Sequence, residues 1–279
     1  MEKQRPRLHV GCAQWTHKAW HGTIVGPGQD KLEAYAAWCD AVEGNTTFYA
    51  TPARETVAGW ARRTPPGFRF VLKLPRAVTH DHRLSGADAD LRHFLTAIEP
   101  LGPRVHALWI QLPASFGPAD LPALSAFLRR LPADHRYAVE VRHQAFADDP
   151  HALERLLGDV GAERVPFDTS VLFASPPTSD AERDAWSKKP RLPVRPQALT
   201  DHPIVRYLGR DDPARTVAGW QRWLPVVAGW LREGRSPTVF VHTPDNVDAP
   251  ALARRFHAEV AALVPDLEAL PAPVPLTLF

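Results

Sequence analysis

Short apolar runs rich in β-branched residues alternate with longer stretches of helical periodicity along most of the chain. Such alternation is typical of βαβ units, whose strands form a parallel sheet. Eight runs have the length and composition of buried strands: Leu8 to Ala13, Ala41 to Asn45, Phe68 to Leu74, Ala107 to Leu112, Tyr137 to Arg142, Arg164 to Asp168, Ile204 to Leu208 and Thr238 to His242. Because eight parallel strands close a TIM barrel, we predict an α/β fold with a single (β/α)8-type TIM barrel.

The stretches between these runs have the spacing of helices that cover a sheet on one face. They lie at Lys31 to Cys39, Pro52 to Arg63, Asp88 to Leu101, Leu121 to Leu131, Pro150 to Asp159, Pro213 to Glu233 and Ala249 to Leu263. Pro225 falls inside the sixth of these stretches. A proline there removes a backbone hydrogen bond, so we predict a kink or two shorter helices.

Two segments depart from the alternation. Ser170 to Pro203 is rich in proline and charge, with a short helical piece near Ala181 to Lys188. It follows the sixth strand, on the face where TIM barrels place their active sites, so it is either a lid or an inert surface loop. Pro265 to Phe279 predicts an extended proline-rich C-terminal tail. We therefore divide the chain into a barrel domain, residues 1–264, and a tail, residues 265–279.

Composition limits the classes of function. The 279 residues carry a formal net charge of only +2, with basic residues scattered along the chain, which argues against a surface shaped throughout for nucleic acid. The first ten residues lack the apolar core of a signal peptide, and no run approaches the ~20 apolar residues of a membrane span. We expect a cytoplasmic protein with no membrane partner. Cys12 and Cys39 have no zinc or disulfide-scaffold spacing, so we expect free thiols.

Polar residues fall at the ends of the predicted strands, which is where a TIM barrel presents its reaction site. Glu43 and Asn45 end the second strand and share a face because they are two residues apart. The other strand-end residues are Lys73, Gln111, Glu140, Arg142, Asp168, Arg206 and His242, with His143 directly after strand five. Such a gathering of charges is either a set of structural ion pairs or a site for a small anionic or sugar-like molecule.

In the functional interpretation, Glu43, Lys73, Glu140 and Asp168 are catalytic, with Glu140 or Asp168 as general base. Lys73 and the two arginines hold a phosphate or carboxylate. The predicted substrate-binding residues are Trp15, Asn45, Gln111, Arg142, His143, Arg206 and His242. The reaction is of the hydrolase or the isomerase/lyase type. As a glycosidase pair, Glu43 and Glu140 would lie about 5 Å apart for retention and ~6.5 to 9.5 Å apart for inversion.

A metal site is the next alternative. His143, His242, Glu140 and Asp168 are side chains that bind zinc or manganese. No HxH or HExxH spacing accompanies them, so we assign no metal ligands and no cofactor, and a divalent metal stays an alternative.

Six segments resemble, in order, the motifs of the YecE-like family, domain of unknown function 72: HVGCAQWTHKAWHG, VEGNTTFYATP, FRFVLKLPRAVTHDHRL, WIQLPASF, YAVEVRH and VRYLGR. The resemblance implies a TIM-type barrel and no established reaction. It supports most of the strand-end residues as signature positions and adds Tyr49 to the predicted substrate site. The chain departs from the family pattern at Gly44 and at Ala13 and Gln14. It also departs at His242 and Thr243, where the family pattern has a pair of asparagines.

The last residues support a second hypothesis. Leu276, Leu278 and Phe279 resemble the short peptide with which bacterial replication and repair proteins dock on the sliding clamp, with Pro275 in place of the usual glutamine. A tail of this kind would tether a metal-dependent nuclease or repair protein near DNA, and direct nucleic-acid binding stays open. Alternatively these residues pack back on the barrel. A third hypothesis is a metabolite-binding module without catalysis.

Overall fold

A computed structural model of the chain describes residues 5–273. Nine strands lie within this range: β1 His9–Cys12, β2 Ala41–Gly44, β3 Arg69–Lys73, β4 Val105–Gln111, β5 Tyr137–Glu140, β6 Glu163–Arg164, β7 Phe167–Asp168, β8 Ile204–Leu208 and β9 Thr238–His242. All of their pairings are parallel, in the order β6-β5-β4-β3-β2-β1-β9-β8-β7. The predicted α/β fold with a parallel sheet is therefore confirmed.

The predicted sixth strand, Arg164 to Asp168, is two short strands separated by Val165 and Pro166. β6 pairs with β5 and β7 pairs with β8, so these two pieces form the two ends of the sheet. Proline has no N–H to donate to a neighbouring strand, which explains an interruption at Pro166. The sheet is thus curled like a TIM barrel but is not closed by pairing of its end strands, which corrects the predicted ring of eight.

Helices follow most of the strands and cover the outside of the curl. In the described part of the chain they are α1 Lys31–Ala36, α2 Thr46–Tyr49, α3 Arg54–Arg62, α4 Asp88–Ile98, α5 Leu121–Arg130, α6 Ala145–Asp148, α7 His151–Asp159, α8 Asp180–Lys188, α9 Pro213–Trp220, α10 Trp223–Arg232 and α11 Ala249–Ala261. The break between α9 and α10 confirms the two shorter helices predicted around Pro225. None of these helices is long and apolar enough to cross a bilayer.

The two largest apolar cores of the described residues hold the sheet in this shape. The larger one lies between the sheet and the helices and contains both free cysteines. The smaller one fills the inside of the curl with side chains from successive strands: Ala41, Val71, Ala107, Trp109, Ala138, Val165, Ile204 and Phe240. Trp109 and Phe240 stack with their ring centroids 6.2 Å apart. The interior is therefore packed below the carboxyl ends of the strands.

The last described residues, 265–273, contain no helix or strand. Leu267 and Leu270 nevertheless pack against the larger core, and Glu268 pairs with Arg7. The residues predicted to dock on a sliding clamp, Leu276, Leu278 and Phe279, lie outside the described range.

Three histidines lie in a row near the amino ends of the strands. The ring centroids of His9 and His106 are 5.4 Å apart, and those of His106 and His202 are 5.6 Å apart. His9 bonds to Asp40 at 2.7 Å, and His106 contacts Thr238 Oγ1 at 3.2 Å. Burial lowers the pKa of His106 well below its ordinary value, and burial together with Arg136 lowers the pKa of His202 to about 4. These two imidazoles are therefore neutral at pH 7.

Replacing His202 with asparagine is expected to make the protein less sensitive to mild acid. Between pH values of about 6.5 and 4 the unfolded chain binds a proton on this histidine and the folded chain does not, so falling pH favours unfolding. The contribution is at most about 3 kcal/mol. Urea unfolding at pH 7, 5.5 and 4 measures it, with His93→Asn at an exposed helical position as control. Equal pH dependence in all three proteins would contradict the expectation.

Candidate functional site

The carboxyl ends of the strands bring five polar side chains together, which we call the mouth cluster: Glu43, Lys73, Glu140, Arg206 and His242. They come from β2, β3, β5, β8 and β9. All five are at most 6% exposed. Residues up to 199 positions apart in the chain thus contact one another at one face of the sheet. Gln111 bonds to Lys73 and Arg142 bonds to Glu140, so seven of the predicted strand-end residues meet in space.

Glu43 is the centre of this cluster. Its Oε1 lies 2.7 Å from Lys73 Nζ and 2.9 Å from Arg206 Nη2, although the angles are poor for hydrogen bonds. Its Oε2 accepts hydrogen bonds from Arg206 Nε at 3.1 Å and His242 Nε2 at 2.9 Å. Burial by itself raises the pKa of this carboxyl, but Arg206, Lys73 and His242 hold it well below its ordinary value. Glu43 is therefore ionised, and it orients the other groups.

His242 contributes a hydrogen bond rather than a charge. Burial lowers its pKa to about 4 even though Glu43 favours the protonated form. The ring is neutral at pH 7, and an ionised carboxylate only accepts hydrogen bonds, so the proton lies on Nε2. The total charge of the cluster therefore depends on the carboxylates and on the lysine and arginine side chains.

Glu140 and Arg206 each have a polar atom left over. Glu140 Oε1 accepts from Arg142 Nε at 2.7 Å, whereas Glu140 Oε2 lies 3.5 Å from Arg206 Nη1. Within residues 5–273, neither Glu140 Oε2 nor Arg206 Nη1 has a hydrogen-bond partner, and both atoms are buried. Burial raises the pKa of Glu140, but Arg142, Arg206 and Lys73 hold it below its ordinary value. A buried donor and a buried acceptor without partners favour a ligand at this point, because such groups are costly to leave unpaired.

Lys73 is the third side chain of the mouth cluster, after Glu140 and Arg206, that could interact with a ligand. Its Nζ donates to Gln111 Oε1 at 2.8 Å and lies 4.9 Å from the centre of the Trp109 ring. Burial and Arg206 lower the pKa of Lys73 to about 8, against the opposite effect of Glu43. This amine is mostly protonated at pH 7 and loses its proton more readily than an exposed lysine. It is therefore suited to proton transfer near neutral pH.

Aromatic rings lie below and beside the cations. The Arg206 guanidinium is 4.3 Å from the centre of the Phe167 ring and 5.6 Å from that of Trp109. Cations over aromatic faces are stabilised by the ring quadrupole. Phe167 and Trp109 thus each make a cation–π contact with Arg206 of the mouth cluster.

Asp168, a predicted catalytic residue, lies apart from the cluster. Successive residues of a strand point to opposite faces, and Phe167 is the residue of β7 that faces Arg206. Asp168 Oδ2 instead accepts from Trp223 Nε1 at 2.7 Å and from Arg222 at 2.5 Å, on the outer side of the sheet. Its contacts attach β7 to the start of α10.

The other predicted substrate-binding residues fall into two groups. Asn45 donates to the carbonyl of Ala13 at 2.7 Å, and His143 accepts from the N–H of Ala145 at 3.1 Å, so both stabilise loops that follow strands. Trp15 packs edge-on against Trp60 at 5.2 Å, outside the curl. Tyr49 is 80% exposed at the end of α2. The structure therefore does not bring Trp15 or Tyr49 into contact with the mouth cluster.

Two residues that sequence reasoning did not select also bear on this site. Lys189 follows α8 in the 170–203 segment, and the charges of Arg206, Arg142, Glu43 and Glu140 all act on it. Arg210 lies just after β8 with 1% exposure and pairs with Glu182 of α8. Lys189 is in an irregular segment without periodicity, so the sequence gives no signal for it. Arg210 is inside the quoted motif VRYLGR, which was its one signal.

The alternative metal site is not assembled. In the range 5–273, no group of three or more histidine, cysteine, aspartate or glutamate side chains is placed to hold a metal ion. The four side chains considered for it are dispersed, because Asp168 faces outward and His242 is bonded to Glu43. Among the described residues, the side chains considered as metal ligands are therefore not gathered at one point.

The family model described as "Protein of unknown function DUF72" matches residues 9–275. The chain is also 39% identical over 268 residues to the UPF0759 protein YecE of Escherichia coli strain K12, a match that covers 95% of this chain and 97% of the relative. This chain belongs to the DUF72 family. The resemblance noted from six motifs is thus confirmed.

Solved structures of other DUF72 proteins have the same fold. One from Enterococcus faecalis V583 superimposes with a TM-score of 0.71 at 16% identity, covering 96% of this chain and 99% of that one. One from Thermotoga maritima MSB8 gives 0.68 at 22% identity, covering 90% and 98%. At these identities the likeness concerns the fold alone. All five residues of the mouth cluster lie inside the part of the chain that the DUF72 model matches.

Proposed function

We propose that this protein is an enzyme that binds a small organic anion at the mouth cluster and transfers a proton of that molecule. The observation that carries the proposal concerns two buried atoms, Arg206 Nη1 and Glu140 Oε2. They form an ion pair at 3.5 Å, yet neither makes a hydrogen bond with any residue in the range 5–273. A ligand with an anionic group and an adjacent acidic proton would satisfy both atoms at once. A bound phosphate or carboxylate accepts from the guanidinium.

The charge balance supports an anionic ligand. Two carboxylates, Glu43 and Glu140, are in contact with three cations, Lys73, Arg142 and Arg206. One positive charge is therefore left over in a largely buried place, where an uncompensated charge is costly. A bound anion would compensate it.

Glu140 is the proposed base. Its side chain is ionised at neutral pH, and its Oε2 accepts no hydrogen bond from the residues that the structure describes. The surrounding cations make it a weak base in the free protein. An anion bound to Arg206 and Arg142 would offset those cations and raise the basicity of Glu140, so proton abstraction would depend on the ligand being in place.

Lys73 is the proposed acid. Its ammonium, with a pKa of about 8, is protonated at pH 7 and is positioned by Glu43 and Gln111. It would donate a proton to, or stabilise, the oxygen on which negative charge develops when Glu140 removes a proton. An ionised base facing a protonated lysine supports an isomerase or lyase type of reaction.

A glycosidase mechanism is less well supported. It needs one carboxyl with a raised pKa that protonates the leaving oxygen. Here the cations lower the pKa of Glu43 and of Glu140 alike. Glu43 Oε2 also accepts hydrogen bonds from Arg206 and His242, and its Oε1 forms ion pairs with Lys73 and Arg206. Neither carboxyl is therefore prepared to act as the acid at neutral pH.

Glu140→Gln is expected to lose proton transfer by about 10²- to 10⁴-fold while anion binding is kept. The amide preserves shape and removes the basic oxygen. The protein is incubated in D₂O with a panel of sugar phosphates, oxo acids and hydroxy acids, and deuterium uptake into each compound is followed by NMR. Glu33→Gln, at an exposed position of α1, is the matched control.

The result separates the competing functions. Deuterium uptake in wild type and in Glu33→Gln, with loss in Glu140→Gln, is the expected outcome. A panel compound that binds to wild type without any exchange or turnover would favour the metabolite-binding module. Equal exchange in wild type and Glu140→Gln would overturn the assignment of the base.

A further inference from the structure

The 170–203 segment, which follows β7, is attached to the curled sheet by a buried ion pair. Arg210 and Glu182 are 1% and 0% exposed, and Arg210 donates to Glu182 Oε1 at 3.0 Å and Oε2 at 2.5 Å. Arg210 Nη1 donates to the carbonyl of Ser175, and Nη2, which also bonds Glu182, donates to the carbonyl of Pro176, both at 2.8 Å. One side chain from the end of β8 thus binds three separate points of the segment.

Backbone N–H groups also donate hydrogen bonds to the Glu182 carboxylate of this ion pair. Glu182 also accepts from the N–H of Thr178 at 2.7 Å and from the N–H of Asp211 at 3.1 Å. Burial raises the pKa of Glu182, but Arg210 and these backbone groups lower it to about 2. A buried pair with its hydrogen-bonding capacity used in this way fixes geometry. The segment is therefore a fixed part of the molecule at this end of the sheet.

The same segment is also attached beside the mouth cluster. Thr169 Oγ1 donates to the carbonyl of Pro190 at 2.8 Å. Pro190 lines one cavity together with His143 and Phe167, and the Phe167 ring is the one that Arg206 covers. Lys189, which precedes Pro190, is thereby held next to the carboxyl ends of β5, β7 and β8.

Lys189 carries a positive charge beside the mouth cluster but has no anionic partner of its own among the described residues. The carboxylates of Glu43 and Glu140 form their ion pairs with other cations. In the part of the chain that the structure describes, no carboxylate lies within 4 Å of the Lys189 amine. Burial, followed by Arg206 and Arg142, lowers its pKa. Its charge also acts on His242. Lys189 therefore adds a further positive charge to a mouth that already has an excess.

We propose that Lys189 is a ligand-binding residue, which the Arg210–Glu182 pair and the Thr169–Pro190 bond position over the mouth cluster to hold the anionic group of the substrate. This proposal rests on the proposed function, since it names one more contact of the same ligand. Lys189 is a binding residue, and Arg210 and Thr169 are positioning residues. The 170–203 segment thereby forms part of the site.

Inorganic phosphate is the probe that tests the binding role. In titration calorimetry at low salt, Lys189→Ala is expected to bind phosphate about tenfold more weakly than wild type, the loss of one charge-assisted hydrogen bond. Lys189→Arg keeps the charge and is expected to restore most of the affinity. Lys188→Ala is the matched control, because the neighbouring Lys188 is exposed and pairs with Asp184. It is expected to bind phosphate as wild type does.

Reductive methylation of lysines, quantified by peptide mass spectrometry, tests the positioning role without a ligand. At a pH of about 10, where the lowered pKa of Lys189 no longer favours its reaction strongly, Lys189 is expected to react more slowly than Lys188 in wild type, because its side chain is only partly exposed. Arg210→Met removes the ion pair, and Thr169→Val is a milder variant that removes a single hydrogen bond. In both variants the reaction of Lys189 is expected to accelerate toward that of Lys188.

Each failure has a separate meaning. Unchanged phosphate affinity in Lys189→Ala, with binding lost in an Arg206 variant, would overturn this inference and leave the proposed function standing. Absence of phosphate binding by wild type would overturn both. Methylation of Lys189 as fast as Lys188 in wild type, or no acceleration in Thr169→Val, would show that the segment does not hold the amine in place.

Discussion

Replacing Arg206 with methionine is expected to lower the free energy of unfolding at pH 7 by about 3–5 kcal/mol. Arg206 is 5% exposed and contacts two carboxylates, Glu43 and Glu140, which are fully buried. Methionine fills a similar volume but leaves both carboxylates without their shared cation. Phosphate binding is expected to weaken by about 10- to 100-fold, because the free Nη1 donor is lost as well. Urea unfolding and calorimetry measure the two effects.

The pH dependence distinguishes this explanation from a simple packing defect. In wild type both carboxyls have lowered pKa values, so they contribute stability above their unfolded pKa of about 4.3 that is lost as pH falls. Without Arg206 these pKa values rise, and the difference between wild type and variant shrinks in acid. Arg62→Met is the control, since the pair Arg62–Glu55 is exposed and contributes at most about 0.5 kcal/mol. A difference that stays constant from pH 7 to 3 would contradict the account.

Arg210→Met is expected to cost a similar amount, about 3–5 kcal/mol, for a related reason. It leaves the buried carboxylate of Glu182 without a counter-ion and the carbonyls of Ser175 and Pro176 without a donor. Unlike the mouth cluster, this pair lies between the barrel and the 170–203 segment. Hydrogen exchange is therefore expected to increase throughout that segment, with little change in the inner strands.

A double variant separates the charge from the packing. Arg210→Met with Glu182→Met removes both ions and is expected to recover part of the lost stability, because no buried charge remains. Recovery is incomplete, since the two carbonyls stay unpaired. Arg183→Met on the same helix is the control, because its pair with Asp180 is exposed. A single Arg210 variant as stable as Arg183→Met would show that the buried pair does not hold the segment.

Strand-end residues were predictable because a parallel α/β sheet places the carboxyl ends of all its strands on one side. That rule alone gathers Glu43, Lys73, Glu140, Arg206 and His242, which are far apart in sequence. The interruption of the ring between β6 and β7 was not predictable, and the closed ring that we predicted was wrong. The run Arg164 to Asp168 is apolar enough for a strand, and the effect of Pro166 on its pairing depends on which neighbour each residue meets.

Some predicted site residues lie away from the mouth cluster because their side chains point in other directions. Asp168 ends its strand like the others, but the alternation of side chains turns Phe167 toward Arg206 and Asp168 toward Trp223. Trp15 lies shortly after β1 and was expected at the mouth. Its ring instead packs against Trp60 on the outer side of the sheet. Lys189 could not be found from periodicity, because its position depends on tertiary bonds such as that of Thr169 with Pro190.

We propose that the carboxyl ends of these strands form an anion site around Arg206. A crystal structure of wild type grown with tungstate tests it most directly, because the heavy oxyanion gives an anomalous signal that identifies its position. We expect a peak within hydrogen-bond distance of Arg206 Nη1, with Lys189 Nζ as a second contact. Tungstate bound at surface positions alone, with none at Arg206, would contradict the account.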